Sequence, residues 1–433
     1  MSDAQYSSDG WAAPVARGPL RAVVDLPGSK SLTNRELVLA ALADGPSRLR
    51  APLRARDTEL MAAALRVLGA GVEDSPGEGG FGPDWLVTPR ALHGPAAIDT
   101  GLAGTVMRFV PPLAALADGE TRFDGDEAAR ARPMSVTIDA LRALGVEVDD
   151  GGTGRLPFVV HGTGSVAGGE LEIDASASSQ FVSGLLLAAP QFLGGLRLRH
   201  TGDRLPSLPH IEMTIATLRA RGVEVSSPER GLWVVPPSPI RALDVDIEPD
   251  LSNAAPFLAA ALVTGGSVTI GGWPTTTTQV GAELPRLLAA FGARSELDDG
   301  RLTVQGGGPI AAVDLDLTIG GELAPTLVGL AALADGPSRI TGIGHLRGHE
   351  TDRLAALVAD LGAIGGRAVE LDDGLEIHPA PMHGGRWAAY ADHRIATTGA
   401  LLGLAIPGIE VDDIASTTKT LPEFRQLWER MLA

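Results

Sequence analysis

The sequence contains no cysteine in 433 residues. That excludes disulfides, thiolate metal sites and a cysteine nucleophile, and it fits a reducing compartment. Aromatic residues make up 4% of a chain that is 44% hydrophobic, so its cores must be built from Ala, Leu and Val. No apolar run approaches the ~18 residues that a membrane span requires. Met1 to Pro14 lacks the basic-then-apolar pattern of a secretory signal and is expected to be the frayed tail of a cytoplasmic protein. The net charge of -18 opposes nucleic acid or an anionic membrane as partner. An anionic substrate must therefore be drawn in by a local basic cluster. Lysine is nearly missing as well: of 35 basic residues only Lys30 and Lys419 are lysines. Arginine can replace a solvated cation but not a compact ammonium whose proton must move. Unless codon bias spared them by chance, these two mark places where the chemistry needs an amine.

What is present is repetition. Leu39 to Arg48 reads LAALADGPSR, Leu330 to Arg339 repeats all ten residues, and Leu113 to Gly119 gives LAALADG. With three weaker versions the closing glycines are Gly45, Gly119, Gly194, Gly265, Gly336 and Gly408, in steps of 74, 75, 71, 71 and 72. A second tag, Leu-x-x-x-Gly, ends at Gly69, Gly145, Gly222, Gly292 and Gly362, with Val358 in place of Leu in the last copy. Both tags look like helix C-termini running into a glycine cap. Between them lie short alternating runs such as Leu232 to Val235 and Leu302 to Val304, separated by turn residues. The pattern predicts six βαβαββ units of roughly 70 residues in an α/β (α+β) fold, each with an Ala-rich helix apolar on all sides and hence buried inside walls of sheet. Three units per domain is the natural division, with Ala242 to Pro249 as the crossing. A six-copy solenoid is the structural alternative.

Helix N-termini aim unpaired N–H groups and a positive dipole at whatever lies beyond them. The expected first-helix starts carry Lys30, Gly104, Ser178 to Gln180, Ser252, Glu322 and Arg394; the second carry Asp57, Arg132, Ser207, Thr277, Arg353 and Lys419. Asp57, Thr277 and Ser252 are read as ordinary N-caps. Lys30, Arg132, Arg394 and Lys419 are not explained that way, because the dipole opposes a cation there by about 0.3–1 kcal/mol each. Four such placements imply anions bound between cations and helix ends. The region around Lys30 is no P-loop, since the upstream glycine of that motif is missing. His345 and His349 lack the intervening Glu of a zincin, so no metal is expected, and no Gly-x-Ser-x-Gly elbow supports a serine triad.

Six motifs, Gly28 to Arg35 (GSKSLTNR), Gly101 to Arg108 (GLAGTVMR), Ser178 to Gln180 (SSQ), Glu350 to Arg353 (ETDR), Asp392 to Arg394 (DHR) and Thr418 to Thr420 (TKT), resemble the 5-enolpyruvylshikimate-3-phosphate synthase family, in its order and over nearly the whole chain. The resemblance implies transfer of the enolpyruvyl group of phosphoenolpyruvate to the 5-hydroxyl of shikimate 3-phosphate, with release of phosphate and no cofactor. It also implies a monomer with the inside-out α/β barrel plan of the enolpyruvyl transferases. One domain is expected over 28–245 and the other over 1–27 plus 246–433, with the active site in the cleft between them.

By the same resemblance, Lys30, Ser31, Arg35, Ser178, Ser179, Gln180, Ser207, Glu322 and His349 hold shikimate 3-phosphate. Lys30, Gly104, Arg132, Arg353, Arg394 and Lys419 hold phosphoenolpyruvate. The catalytic set is Lys30, Glu322, Glu350 and Lys419, with Glu322 as base at the hydroxyl and Glu350 as acid at the methylene. This agrees with the chemistry, since forked guanidinium groups suit carboxylate and phosphate and lysine supplies a mobile charge. The sequence departs from the family at four positions. Leu102 replaces a frequent Asn, Glu322 the more usual Asp, His349 a frequent Lys, and His210 an aromatic residue near the shikimate ring. With His349, a permanent cation becomes one that titrates near neutrality. The rival within the fold, UDP-N-acetylglucosamine enolpyruvyl transferase, usually carries a cysteine on a mobile loop. A non-enzymatic six-repeat ring on nucleic acid would need a basic stripe.

Overall fold

The computed structural model describes residues 10–77 and 80–433. The chain divides into two compact units, a middle one over Pro27–Glu248 and a terminal one formed by Met1–Leu26 with Pro249–Ala433. The plan of one repeat is plainest in the middle unit. Strand Ala96–Asp99 leads through helix Gly104–Leu116 to strand Asp118–Asp124, then through helix Ser135–Ala143 to strands Glu147–Asp149 and Phe158–Thr163. The first two strands pair in parallel, the second pairs antiparallel with the fourth, and the fourth with the third. The third repeat uses the same order with Gly169–Ile173, Leu196–His200, Leu232–Val235 and Ser226–Glu229. Parallel neighbours need a crossover connection and antiparallel ones only a turn, which is why helix Gly104–Leu116 separates the first two strands of this repeat.

Helices Lys30–Ala41, Gly104–Leu116 and Gln180–Ala188 lie against one another at the centre of the middle unit and are buried on almost every side. Helices Leu251–Thr264, Ala324–Ala332 and His393–Gly403 do the same in the terminal unit. Small residues make this possible. A Cβ on Gly184 would sit 2.2 Å from the carbonyl oxygen of Arg108, so these two helices approach more closely than alanine would allow. Within each unit the helices are inside and the sheets outside, and among the described residues the strands form six separate sheets and no closed barrel. Among the described residues no helix is long and apolar enough to cross a membrane.

Three features differ from the sequence reading, and all come from long-range pairing. The crossing segment is itself structural: Val245–Asp246 pairs in parallel with Ser47–Arg50 as the first strand of the first repeat. Correspondingly, Arg21–Val24 pairs in parallel with Ser267–Ile270 and opens the fourth repeat. Each crossing therefore lends its first strand to a repeat distant in sequence. The expected frayed tail is also a strand beyond its first nine residues, which lie outside the described part. Trp11–Ala12 pairs antiparallel with Ile409–Val411, in the place where the sixth repeat has no closing strand of its own. Trp11 is 8% exposed, and its indole N–H donates to Glu429 at 3.3 Å.

One buried ion pair anchors the first repeat. Arg221, with no exposed side-chain surface, donates through Nε and Nη2 to Glu36 Oε2 at 3.0 and 2.8 Å and through Nη1 to Ser47 at 3.2 Å. Burial alone pushes the Glu36 carboxyl up, and Arg221 opposes that shift. The pair ties the helix Lys30–Ala41 to the end of helix Leu208–Ala220, so the helix that presents Lys30 is fixed at its middle.

Candidate active site

In the middle unit, the N-terminus of helix Lys30–Ala41 is set by Ser29, whose hydroxyl accepts from the Leu32 N–H at 3.5 Å. Lys30 is the first helical residue, and its ammonium lies 3.5 Å from Asp57, which is buried. Asp57 is thus an ion-pair partner of Lys30 and not the N-cap expected of it; the cap of helix Arg56–Val67 is Ala55. One turn on, Arg35 is buried and held by its neighbours. It donates to the Ser31 carbonyl, the Thr214 hydroxyl and the His210 carbonyl, each at 2.8 Å, and its guanidinium lies 5.3 Å from the Phe109 ring centroid. These contacts lock the Lys30 helix to helix Leu208–Ala220, whose N-cap, Ser207, holds a left-handed φ of 53°.

The other two repeats meet at Gly104. A Cβ at this first position of helix Gly104–Leu116 would lie 3.0 Å from Gln180 Oε1 and 3.2 and 3.3 Å from the two Nη atoms of Arg132. Gln180 opens helix Gln180–Ala188 behind the N-cap Ser179, and Ser178 Oγ accepts from the Gln180 N–H at 3.3 Å. Gln180 Oε1 and Arg132 Nε are buried without a hydrogen-bond partner. Buried polar groups are normally satisfied, so an acceptor and a donor left over at one spot suit a polar ligand.

In the terminal unit the centre is Arg353, the first residue of helix Arg353–Ala363 and fully buried. Its Nε and Nη2 grip Asp392 at 2.7 and 3.2 Å, and Nη2 also reaches Glu350 at 3.1 Å. Burial works against the guanidinium charge, but the carboxylates of Asp392, Glu350 and Glu322 outweigh it and hold the pKa above its ordinary value. Nη1 of Arg353 is buried without a hydrogen-bond partner. Lys419, nearly buried, bonds to the other oxygen of Glu350, and His349 Nδ1 lies 3.9 Å from that carboxylate. Glu322 accepts from the Ser252 hydroxyl at 2.5 Å. Arg394 is the second residue of helix His393–Gly403, where the Asp392 cap accepts its N–H at 2.9 Å, and its guanidinium touches the Ser252 carbonyl at 3.4 Å. A small pocket in the same unit is lined by Ser252, Asn253, His393, Arg394, Thr417 and Thr420.

Several sequence assignments change. Ser252 does not cap its helix; Asp250 does, and Ser252 serves Glu322 instead. Thr277 accepts from the Gln279 N–H ahead of a 3-10 turn and caps no α-helix. Lys419 closes the 3-10 turn Ile414–Lys419, and the next helix begins at Phe424. Arg132 lies between helices Glu127–Arg130 and Ser135–Ala143. The dipole therefore opposes Lys30 and Arg394 as expected, and Arg353 as well, but not Arg132 or Lys419. Asp57, Ser252 and Asp392 also belong to these clusters, although the sequence marks none of them as a site residue. Asp392 was within reach as part of its motif, whereas the first two look like caps in sequence.

The family model of EPSP synthase (3-phosphoshikimate 1-carboxyvinyltransferase) matches residues 15–428. The 3-phosphoshikimate 1-carboxyvinyltransferase of Kocuria rhizophila is 56% identical over 438 aligned residues, covering 100% of this chain and 98% of the relative. The solved EPSP synthase of Acinetobacter baumannii gives a TM-score of 0.79 at 23% identity, covering 97% of each chain. The enolpyruvyl transferase NikO of Streptomyces tendae gives 0.78 at 19% identity over 98% of each. At such identities the two structures speak for the fold alone. With the family model spanning nearly its whole length and more than half its residues shared with a full-length relative, the chain belongs to the EPSP synthase family.

Proposed function

We propose that this chain transfers the enolpyruvyl group of phosphoenolpyruvate to the 5-hydroxyl of shikimate 3-phosphate and releases phosphate, with both side-chain clusters contributing. The observation that carries the reading is the terminal cluster, where two carboxylates with different neighbours stand around one buried guanidinium. Glu322 is bonded to a neutral hydroxyl, while Glu350 lies between Lys419 and Arg353.

That difference supports a division of labour. Glu322 takes the hydroxyl proton as the substrate oxygen bonds to C2 of phosphoenolpyruvate. The Glu350–Lys419 pair delivers a proton to C3, giving a tetrahedral adduct. The adduct then expels phosphate, which leaves with the C2–O bonding electrons and takes up the proton that Glu322 removed from the hydroxyl. The pair takes a proton back from C3, and the double bond re-forms. Arg132, Arg353, Arg394, Lys30 and Lys419 hold the phosphate and carboxylate of phosphoenolpyruvate, with Gly104 leaving room beside Arg132. Lys30 also faces the departing phosphate, where a compact ammonium neutralises developing charge. Ser31, Arg35, Ser178, Ser179, Gln180, Ser207 and His349 hold shikimate 3-phosphate together with Lys30 and Glu322. The acidic, cysteine-free composition supports a cytoplasmic enzyme, and we read it as a monomer, which sedimentation at micromolar concentration will check.

The test is phosphate release from phosphoenolpyruvate with each acceptor in turn. Release is expected with shikimate 3-phosphate and not with UDP-N-acetylglucosamine; the reverse pattern overturns the reading.

A further inference from the structure

Helix Arg353–Ala363 holds the segment ahead of Arg394 at two points. Arg353 clamps Asp392, as described. Asp360, two turns further along the same helix and 3% exposed, accepts through Oδ1 from the Ala388 N–H at 3.2 Å and from the Tyr390 hydroxyl at 3.4 Å. Asp412 supports the same stretch by accepting the Ala389 N–H at 2.8 Å. Between the two grips, Tyr390 and Ala391 both have φ of 53°. Left-handed backbone is unfavourable for residues with a Cβ and persists where the surroundings impose it. The turn leads directly into Asp392 and Arg394, so its shape decides where the Arg394 guanidinium is presented.

We propose that Asp360 is a positioning residue for phosphoenolpyruvate, tying the 388–391 turn to helix Arg353–Ala363 and so fixing Arg394. The proposal rests on the reading of Arg394 as a phosphoenolpyruvate ligand. Asp360 makes no ion pair among the described residues, and its Oδ2 is buried without a hydrogen-bond partner. The titratable groups that face it are Tyr390, on the turn itself, and Asp412. Arg386 is paired to Asp412 at 3.0 Å. Burial raises the Asp360 carboxyl to about 7, against the two hydrogen bonds it accepts. The acid is therefore neutral through the lower part of the working range. Above it, a buried carboxylate without a cation is relieved by opening the turn to water.

The test measures kcat and both KM values from pH 6 to 8.5 for the wild type, Asp360→Asn, Asp360→Leu and Arg394→Gln. Asparagine keeps the acceptor oxygen without the charge, whereas leucine removes both bonds. Asp360→Leu is expected to raise the KM for phosphoenolpyruvate about tenfold, with the KM for shikimate 3-phosphate unchanged within twofold. Asp360→Asn should restore the wild-type value at pH 6.5 and lack the wild-type rise in that KM above pH 7. A folded Asp360→Leu enzyme with unchanged KM for phosphoenolpyruvate, or with both KM values raised alike, overturns the proposal. So does an Asp360→Asn enzyme that follows the wild-type pH profile, which decides the matter even if the leucine variant does not fold. If Arg394→Gln leaves the KM for phosphoenolpyruvate unchanged, the ligand reading and the proposal fall together. If it raises that KM while Asp360→Leu does not, the positioning role alone falls.

Discussion

A single methyl group at Gly104 tests whether the middle cluster grips phosphoenolpyruvate. The Cβ of a Gly104→Ala enzyme would lie 3.0 Å from Gln180 Oε1 and 3.2 and 3.3 Å from the Arg132 Nη atoms, all below the ~3.5 Å at which nonbonded contacts become attractive. Gly104 has no left-handed φ, so alanine fits the backbone. Alanine is also the better helix former, by up to about 1 kcal/mol. Neither neighbour is rigid backbone. The Gln180 amide can turn aside, and the Arg132 guanidinium, held to the Leu102 carbonyl by a long bond of 3.4 Å, can retreat by about 0.3 Å. A misplacement of about 1 Å can cost roughly a hundredfold in rate, so a third of that distance corresponds to about fourfold. The expected outcome is a KM for phosphoenolpyruvate raised about three- to tenfold. The KM for shikimate 3-phosphate should change less, and the thermal midpoint should not fall. Continuous phosphate release at saturating shikimate 3-phosphate measures the first, and a melting curve the last. An unchanged KM for phosphoenolpyruvate would falsify the placement of Arg132 at that ligand.

Lys30→Arg and Lys419→Arg should each lower turnover by at least about tenfold, because each ammonium is fitted to one carboxylate and a planar fork is not interchangeable with it. Wild-type rates in both would reduce the scarcity of lysine to codon bias. Trp11→Ala should cost about 3–5 kcal/mol in urea unfolding, as the truncation of a buried aromatic does; a loss under about 1 kcal/mol would mean that the N-terminal strand adds little. Asp360 makes folding pH-dependent with a definite sign. The unfolded chain loses this proton near 3.8 and the folded one near 7, so the folded state binds the extra proton in between. Stability should therefore fall by a few kcal/mol from about pH 4 to 7 and then level off. Asp360→Asn, compared with the wild type across that range, should remove the slope; parallel curves would refute it.

The sixfold repeat was legible because each copy must end its own helices and alternate its own strands, and both leave marks in local sequence. What escaped is what the chain does over long distances. Trp11–Ala12 is two residues long, too short for any periodicity, and becomes a strand only because the sixth sheet has a vacant edge beside Ile409–Val411. Val245–Asp246 looked like a connection because the strand it joins lies some two hundred residues away in sequence, and the pairing of Arg21–Val24 with Ser267–Ile270 is hidden by a similar separation. The same limit governs the site. A Ser or Asp near a helix start is chemically a cap wherever local geometry decides, and Asp250, Asp352 and Asp392 do cap. Ser252 and Asp57 have the same local appearance, yet a carboxylate from the next repeat claims the first and an ammonium from the other helix of its own repeat claims the second. Local pattern thus locates a ring of helix starts, while tertiary partners decide which residues on it remain caps and which become chemistry. In the terminal unit those partners come from different repeats, so that cluster can be assembled only after the repeats have packed, and no single repeat could carry it alone.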